Sequence, residues 1–386
     1  MTPALPPDRS APRRVVLMNP GPVLTDKRVR SALAGPDLCH REPEFATLMN
    51  RVRSRVTRVC GGTGDFTSVV LTGSGTSAVE AAIVSAPAVG AAVLAIDNGH
   101  YGRRMRDIAE AHGIPVTPLE AGWGRRVDLD RLECALAADP SLSHVTVVHH
   151  ETSTGMLNDV VAVARVAHRH RRQVIVDAVS SVGSEKLNIA ADGLDWVAGS
   201  ANKSLEGMPG VAFVCARRET FAALEGAPRS YSLDLARHFR AQDHAGAPAF
   251  TPAVPAFYAF DTALALALEE GVAARSKRYL ALAERLRRGL EAAGLQLLLP
   301  AEERAVSLTA VRLPEGASYR QLHDAFKAEG FIIYAGQEEL AREYFRVSTM
   351  GQMDERDIDA FLATLDRFLT SHRAGRPRTA KQGRST

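Results

Sequence analysis

The chain of 386 residues has only four cysteines, Cys39, Cys60, Cys134 and Cys215, and no C-x-x-C pair among them. That spacing gives neither a disulfide framework nor a thiolate zinc site, and a reducing cytoplasm is the expected compartment. Long apolar runs are also missing. The most apolar uncharged stretch, between Glu80 and Asp97, is interrupted by Pro87 and Gly90 and is too short to span a bilayer, so no membrane partner is expected. Met1 to Arg14 carries prolines and both charges but no apolar core, which argues against a secretory signal. Charge of one sign is scarce as well: 47 Lys+Arg against 44 Asp+Glu leaves +3. Five cations (Arg373, Arg376, Arg378, Lys381 and Arg384) lie in the last stretch, 373–386, without an acid. The rest of the chain is therefore slightly acidic, and a nucleic-acid-binding body is not expected.

What is present is 46% apolar and 24% charged residues, which suits a globular protein of enzyme size with two domains of unequal length. Between about 60 and 240, short β-branched runs alternate with helical patterns. The spacing predicts strands at Thr67–Leu71, Ala92–Ile96, His144–His149, Gln173–Val176, Trp196–Gly199 and Val211–Cys215. Helices are predicted at Ser77–Val84, Arg103–Ala111, Leu129–Ala138 and Val160–His170. Buried strands bounded by helices predict an α/β fold with a mostly parallel central sheet and helices on both faces. From about 254 the pattern becomes a smaller C-terminal α+β unit. It has helices at Pro255–Glu270, Ala273–Ala293, Tyr319–Glu329 and Glu355–Leu369, and strands at Ala305–Val311, Phe331–Tyr334 and Tyr344–Ser348. The expected division is a loose N-terminus (1–14), a large domain (15–253), a small domain (254–372) and a loose basic tail (373–386). Arg14 to Cys60, with its Pro-Gly-Pro turn, can fold back onto either domain.

Three segments can do chemistry. Thr72-Gly73-Ser74-Gly75-Thr76-Ser77 joins a strand to a helix, where free backbone N–H groups and the helix dipole favour a phosphate. Taken alone it reads as a tight capped turn; it is neither a Walker A nor a complete G-x-G-x-x-G, which disfavours a mononucleotide or a NAD dehydrogenase. Asp177 ends an apolar strand, where open α/β sheets place ligands, and Lys203 follows another. Separately, each is most simply a turn cap or a surface charge. Together a phosphate cradle, an acid and a lysine at strand ends supply what pyridoxal phosphate needs: an anion site, a partner for the pyridine nitrogen and an amine for the Schiff base. His149 and His150 suggest a metal, but adjacent strand residues face opposite sides and cannot share one ion.

These segments, with others in the same order, carry a family resemblance. They are N-P-G-P (Asn19–Pro22), G-S-G-T (Gly73–Thr76), N-G-H-Y-G-R-R (Asn98–Arg104) and V-H-H-E-T-S-T-G-M-L-N (Val148–Asn158). Then come D-A-V-S-S (Asp177–Ser181), S-A-N-K-S-L-E-G-M-P-G (Ser200–Gly210), R-S-Y-S-L-D-L (Arg229–Leu235), F-T-P (Phe250–Pro252), I-Y-A-G (Ile333–Gly336) and F-R-V (Phe345–Val347). The chain resembles the class V aminotransferases of the fold-type I pyridoxal-phosphate superfamily, and within them the 2-aminoethylphosphonate–pyruvate aminotransferases. The resemblance implies Lys203 as the Schiff-base lysine and proton carrier and Asp177 on the pyridinium N–H. It implies Ser74, Gly75 and Thr76 on the phosphate with Asn202 nearby, Tyr101 and Val179 on the two ring faces, and Thr152 near the ring hydroxyl. Thr251 would reach the phosphate of a neighbouring subunit, which implies a homodimer with shared sites. Arg346 would grip the carboxylate of pyruvate, with Arg41, in the variant segment His40–Phe45, and the backbone at Gly21 as further candidates for a phosphonate.

Some positions depart from the family pattern. Ser204 replaces the usual cysteine, Pro248-Ala249 replace a bulky Trp-Arg, Ala253-Val254-Pro255 replace part of a threonine- and histidine-bearing segment, and Val347-Ser348 replace Ile-Gly. These changes bear on the amino donor and leave the cofactor reading intact. The nearest rival is an alanine– or serine–glyoxylate aminotransferase, which would use the same lysine and acid. A cysteine desulfurase needs a late reactive thiol, and no cysteine follows Cys215. A catalytically silent protein of the same fold is the reading from another class. The pairing of Lys203 with Asp177 argues against it.

Overall fold

Alternation of side chains along short apolar runs builds the centre of the protein. In the computed structural model, which describes residues 14–226 and 228–374, seven strands form one sheet. They are β1 (Phe66–Gly73), β2 (Ala92–Asp97), β3 (Val116–Glu120), β4 (Leu142–Val148), β5 (Gln173–Asp177), β6 (Trp196–Ser200) and β7 (Gly210–Arg217). Their order across the sheet is β1-β7-β6-β5-β4-β2-β3. All run parallel except β7, which is antiparallel to both its neighbours. Val211, Phe213 and Cys215 of β7 enter the core on one face, and Ala212, Val214 and Ala216 enter the other. A strand buried on both sides needs such continuous apolar sequence. One face is covered by the helices Pro43–Val59, Val160–Arg169 and Val254–Glu270, the other by Gly75–Ser85, His100–Ala111 and Leu235–Ala245.

A second core lies beyond it. The helices Val272–Ala292, Tyr319–Ala328 and Glu355–Ala374 pack with a three-stranded antiparallel sheet made of Leu308–Arg312, Tyr344–Ser348 and Tyr334–Ala335. The N-terminal segment serves both cores. Val16–Leu17 pairs in parallel with Phe331–Ile332, while the helix Pro43–Val59 packs on the helix Val254–Glu270. Arg14 is held in turn by Asp357, with Nη1 donating at 2.7 Å and Nη2 at 2.9 Å.

The differences from the sequence reading have physical causes. β3 is not predicted because Pro118 sits inside it; as the edge strand it tolerates a residue without an N–H donor. The strand expected at Ala305–Val311 begins at Leu308, since Ala305 and Ser307 are buried in the turn before it. The run Phe331–Tyr334 is split, its first half pairing with the N-terminal strand and Tyr334 joining the small sheet. Arg373 and Ala374 close the last helix instead of starting the tail; the rest of that expected tail, and residues 1–13 of the expected loose N-terminus, lie outside the described residues.

Candidate active site

The C-terminal ends of β1, β4, β5 and β6 open onto a cavity of about 400 Å³. β1 passes into the helix Gly75–Ser85 through Ser74, whose hydroxyl caps no backbone N–H, and Ser74, Gly75 and Thr76 wall one end of the cavity. A helix start left open in this way favours an anion. Gly75 has to be glycine for packing: a Cβ there would lie 2.7 Å from Cγ1 of Val179, itself a lining residue. Thr76 Oγ1 accepts from Arg104 Nη1 at 3.1 Å. The Arg104 guanidinium lies over the ring of Tyr101, 4.6 Å from its centroid, and also donates to His100 Nε2 at 2.9 Å. The helix carrying these residues is anchored by buried Glu151, which accepts from the Tyr101 and Gly102 N–H groups at 3.0 and 3.1 Å. A carboxylate at a helix N-terminus is the favourable sign of charge.

Asp177 closes β5, with Oδ1 accepting from the Val179 N–H at 2.9 Å. Burial pushes its carboxyl up to about 6; the Val179 N–H opposes the rise, Glu151 adds to it, and the charges of Arg104 and Lys203 also oppose it. Lys203 stands after β6. Burial lowers its amine to about 8, Asp177 opposes that fall, and Arg346 and Arg104 deepen it. Its Nζ donates to the carbonyl of Pro20. Gly21, at φ +115°, lies against the lysine stem, where a Cβ would come within 2.6 Å of Cδ. Any side chain at this position would displace the amine.

Ser200 and His150 also line the cavity, and Ser200 Oγ and His150 Nε2 are buried without a partner among the described residues. Burial lowers His150 to about 3, so its ring is neutral. Its Nδ1 lies 3.3 Å from the Ser180 carbonyl, which places the proton there and leaves Nε2 as an acceptor. His149 faces the other side of the sheet, in a separate groove with Val160 and Lys186.

The loop after Lys203 is gripped from the helix Val272–Ala292. The Ser204 carbonyl accepts from Arg275 Nη1 at 3.0 Å. Glu206, left-handed at φ 58°, accepts from Tyr279 Oη at 2.6 Å and Arg278 Nη2 at 2.9 Å, and also from Gln352. Tyr279 Oη in turn accepts from the Gly351 N–H at 3.0 Å.

Eight residues singled out in the sequence therefore line one cavity: Ser74, Gly75, Thr76, Tyr101, Asp177, Val179, Asn202 and Lys203. Gly21 reaches the site at its lysine end. Thr152 is buried just outside, its Oγ1 unpartnered and its carbonyl accepting from Arg346 Nη1 at 3.0 Å. Arg346 is buried and pairs with no carboxylate among the described residues; Nε donates to the Ala335 carbonyl at 2.9 Å and Nη1 to Gln337 Oε1 at 2.6 Å. Thr251 and Arg41 are exposed and do not line the cavity of the single chain. Sequence reasoning assigned no role to Arg104, His150, Ser200 or Gln337. The strand alternation that sends His149 and His150 to opposite faces was the available signal for His150.

Residues 29–361 match the family described as Aminotransferase class-V. The chain belongs to the class-V aminotransferases. A 2-aminoethylphosphonate–pyruvate transaminase from Salmonella paratyphi B is 38% identical over 358 residues, 92% of this chain and 97% of that one. Among solved structures, an alanine–glyoxylate aminotransferase from Nostoc sp. superposes with a TM-score of 0.87 at 26% identity, covering 95% of this chain and 98% of that one. An aspartate aminotransferase of subgroup IV from Thermus thermophilus gives 0.84 at 29% identity, covering 92% and 99%. The fold is the fold-type I architecture of these enzymes. The cofactor of a class-V aminotransferase is pyridoxal phosphate, and this cavity fits it. The open turn 74–76 suits its phosphate, the buried carboxyl of Asp177 its ring N–H, and the lowered amine of Lys203 its aldehyde. The unpartnered Ser200 Oγ and His150 Nε2 offer further polar contacts.

Proposed function

We propose that this class-V aminotransferase moves the amino group of 2-aminoethylphosphonate, or a closely related aminophosphonate, to pyruvate, giving phosphonoacetaldehyde and alanine. The observation that carries the reading is the Lys203–Asp177 pair facing one cavity with the open turn 74–76, in a chain whose 38%-identical relative bears that activity in its name. When bound, pyridoxal phosphate supplies an electron sink for the carbon that carries the amino group. The protein's part is to place protons and charges around it. Near pH 8 a large fraction of Lys203 Nζ is uncharged, so this atom can take a proton from the substrate carbon and return it. The Asp177 carboxylate would hold a proton on the ring nitrogen, and Tyr101 and Val179, which line the same cavity, would restrict the ring. Arg346 presents its planar fork to the carboxylate of pyruvate.

We also read the active form as a homodimer, working in the cytoplasm, in which Thr251 faces the partner's cofactor phosphate. Thr251 is exposed beside Phe250, which packs on Tyr231, a tyrosine 69% exposed. Such an apolar surface suits a covered position. Arg41 would meet a phosphonate oxygen only within that pair. No helix among the described residues is long and apolar enough to cross a membrane.

An amino-donor screen with pyruvate as acceptor tests the activity. With pyruvate, 2-aminoethylphosphonate should outrun serine and taurine; an enzyme that ignores it while aminating glyoxylate from serine or alanine is a glyoxylate-type aminotransferase instead. Sedimentation tests the assembly, and a fully active monomer would exclude shared sites.

A further inference from the structure

Arg346 is placed to hold a substrate anion, yet it does not line the cavity. The reason is its company. Nε is taken by the Ala335 carbonyl, Nη1 is shared between the Thr152 carbonyl and Gln337 Oε1, and the Tyr101 hydroxyl adjoins the same guanidinium. Two of these neighbours are backbone carbonyls, and Tyr101 sits on the helix whose backbone is anchored by Glu151. Gln337 differs. It is half-buried on the short connection between Tyr334–Ala335 and Tyr344–Ser348, and its 2.6 Å contact offers Arg346 a neutral sp² oxygen, the geometry of one carboxylate oxygen without the charge.

The connection is itself moored. Glu338, left-handed at φ 41°, accepts from His100 Nδ1 at 2.5 Å and from Arg103 Nη1 at 2.9 Å, both on the helix that carries Tyr101. Because His100 Nε2 accepts from Arg104, which also binds Thr76, one run of hydrogen bonds joins the Gln337 segment to the anion-binding turn. The carboxamide is thus held over Arg346 from outside the cavity.

We propose that Gln337 is a specificity-determining residue: its side-chain oxygen occupies the position on Arg346 that a substrate carboxylate or phosphonate oxygen takes, and only an anion displaces it. An uncharged amide or alcohol competes on equal terms with a tethered amide and loses. This rests on Arg346 being the substrate arginine. Displacement precedes chemistry and persists through it, so Gln337 acts on binding uniformly, moving KM and leaving kcat in place.

The test uses the cofactor-loaded enzyme, with KM for pyruvate and competitive inhibition constants for propionate and methylphosphonate as readouts. In Gln337→Ala, water replaces the tethered oxygen, so KM and both inhibition constants should fall about 3–10-fold with kcat unchanged within about twofold. In Gln337→Glu a tethered carboxylate pairs with Arg346, so all three constants should rise at least about 10-fold. Arg346→Lys is run alongside. If it weakens all three probes while Gln337→Ala fails to tighten them, or loosens them, Gln337 merely braces the arginine and the proposal falls. If Arg346→Lys leaves all three constants unmoved, the substrate-arginine reading falls and takes the proposal with it.

Discussion

Replacing Asp177 by asparagine should strengthen the empty protein and cripple the enzyme. In the fold its carboxyl titrates at about 6, against 3.8 for the free side chain, because burial disfavours the anion. Between those values the native state binds more protons than the unfolded one. The group therefore costs nothing below about pH 3.8, and its destabilisation grows as pH rises and is complete above about 6. The full cost is about 3 kcal/mol at pH 7 and about half that at pH 5. Asparagine removes the charge and keeps an acceptor for the Val179 N–H, but Lys203 then loses its counter-charge and takes some of the gain back. The expected net is on the order of 1–3 kcal/mol of added stability at pH 7, shrinking as pH falls toward 4. At roughly 2 °C per kcal/mol, the melting temperature of the cofactor-free variant should exceed wild type by about 2–6 °C at pH 7 and by less at pH 5. The same change should lower kcat at least ~100-fold, since an amide cannot hold the ring proton as a carboxylate does. Calorimetric melting of both cofactor-free proteins at pH 5, 6 and 7, beside single-turnover rates, checks both halves. A variant that is less stable, or whose gain ignores pH, would refute the argument from burial.

Lys203→Ala should fold and still take up pyridoxal phosphate, with no turnover and no borohydride-fixed adduct at this position in a peptide digest, because the turn 74–76 holds the phosphate without the amine. Arg346→Lys keeps the charge and loses the fork, and should cost about 1.5–3 kcal/mol in kcat/KM for pyruvate, seen in stopped-flow half-reactions. Tyr279→Phe strips a donor from Glu206 and an acceptor from the Gly351 N–H; it should lower stability by about 1–3 kcal/mol in urea titration and speed cofactor release, because the loop after Lys203 loosens. Arg41→Ala should slow the phosphonate half-reaction more than the pyruvate one, and equal losses would mark it as structural.

The parts legible in the sequence were those where one strand end announces one residue. Asp177 ends an apolar run that reads as a buried strand, Lys203 follows a second and Ser74–Thr76 a third, so this part of the cavity's lining could be read in order along the chain. The other half is made by contacts between distant segments. Gln337 meets Arg346 across a hairpin, His150 acquires meaning only from the side of the sheet it faces, and Arg104 reaches Thr76 from the next helix. No periodicity encodes such meetings. β3 was lost to its proline, and the double docking of the N-terminal segment depended on partners some 200 and 300 residues away in the chain.

The docking of that N-terminal segment has a consequence for how the enzyme comes into being. Pro20 and Gly21 press on Lys203, and the strand that delivers them pairs with Phe331–Ile332. On the ribosome this partner strand emerges about 315 residues later, which at ~5–20 residues per second is roughly 15–60 seconds. Until then Val16–Leu17 lacks its partner strand, and the lysine lacks the carbonyl that receives its amine. A nascent chain with the seven-stranded sheet already folded should thus lack a positioned Lys203 amine, and catalytic competence should arrive abruptly, once Phe331–Ile332 has emerged.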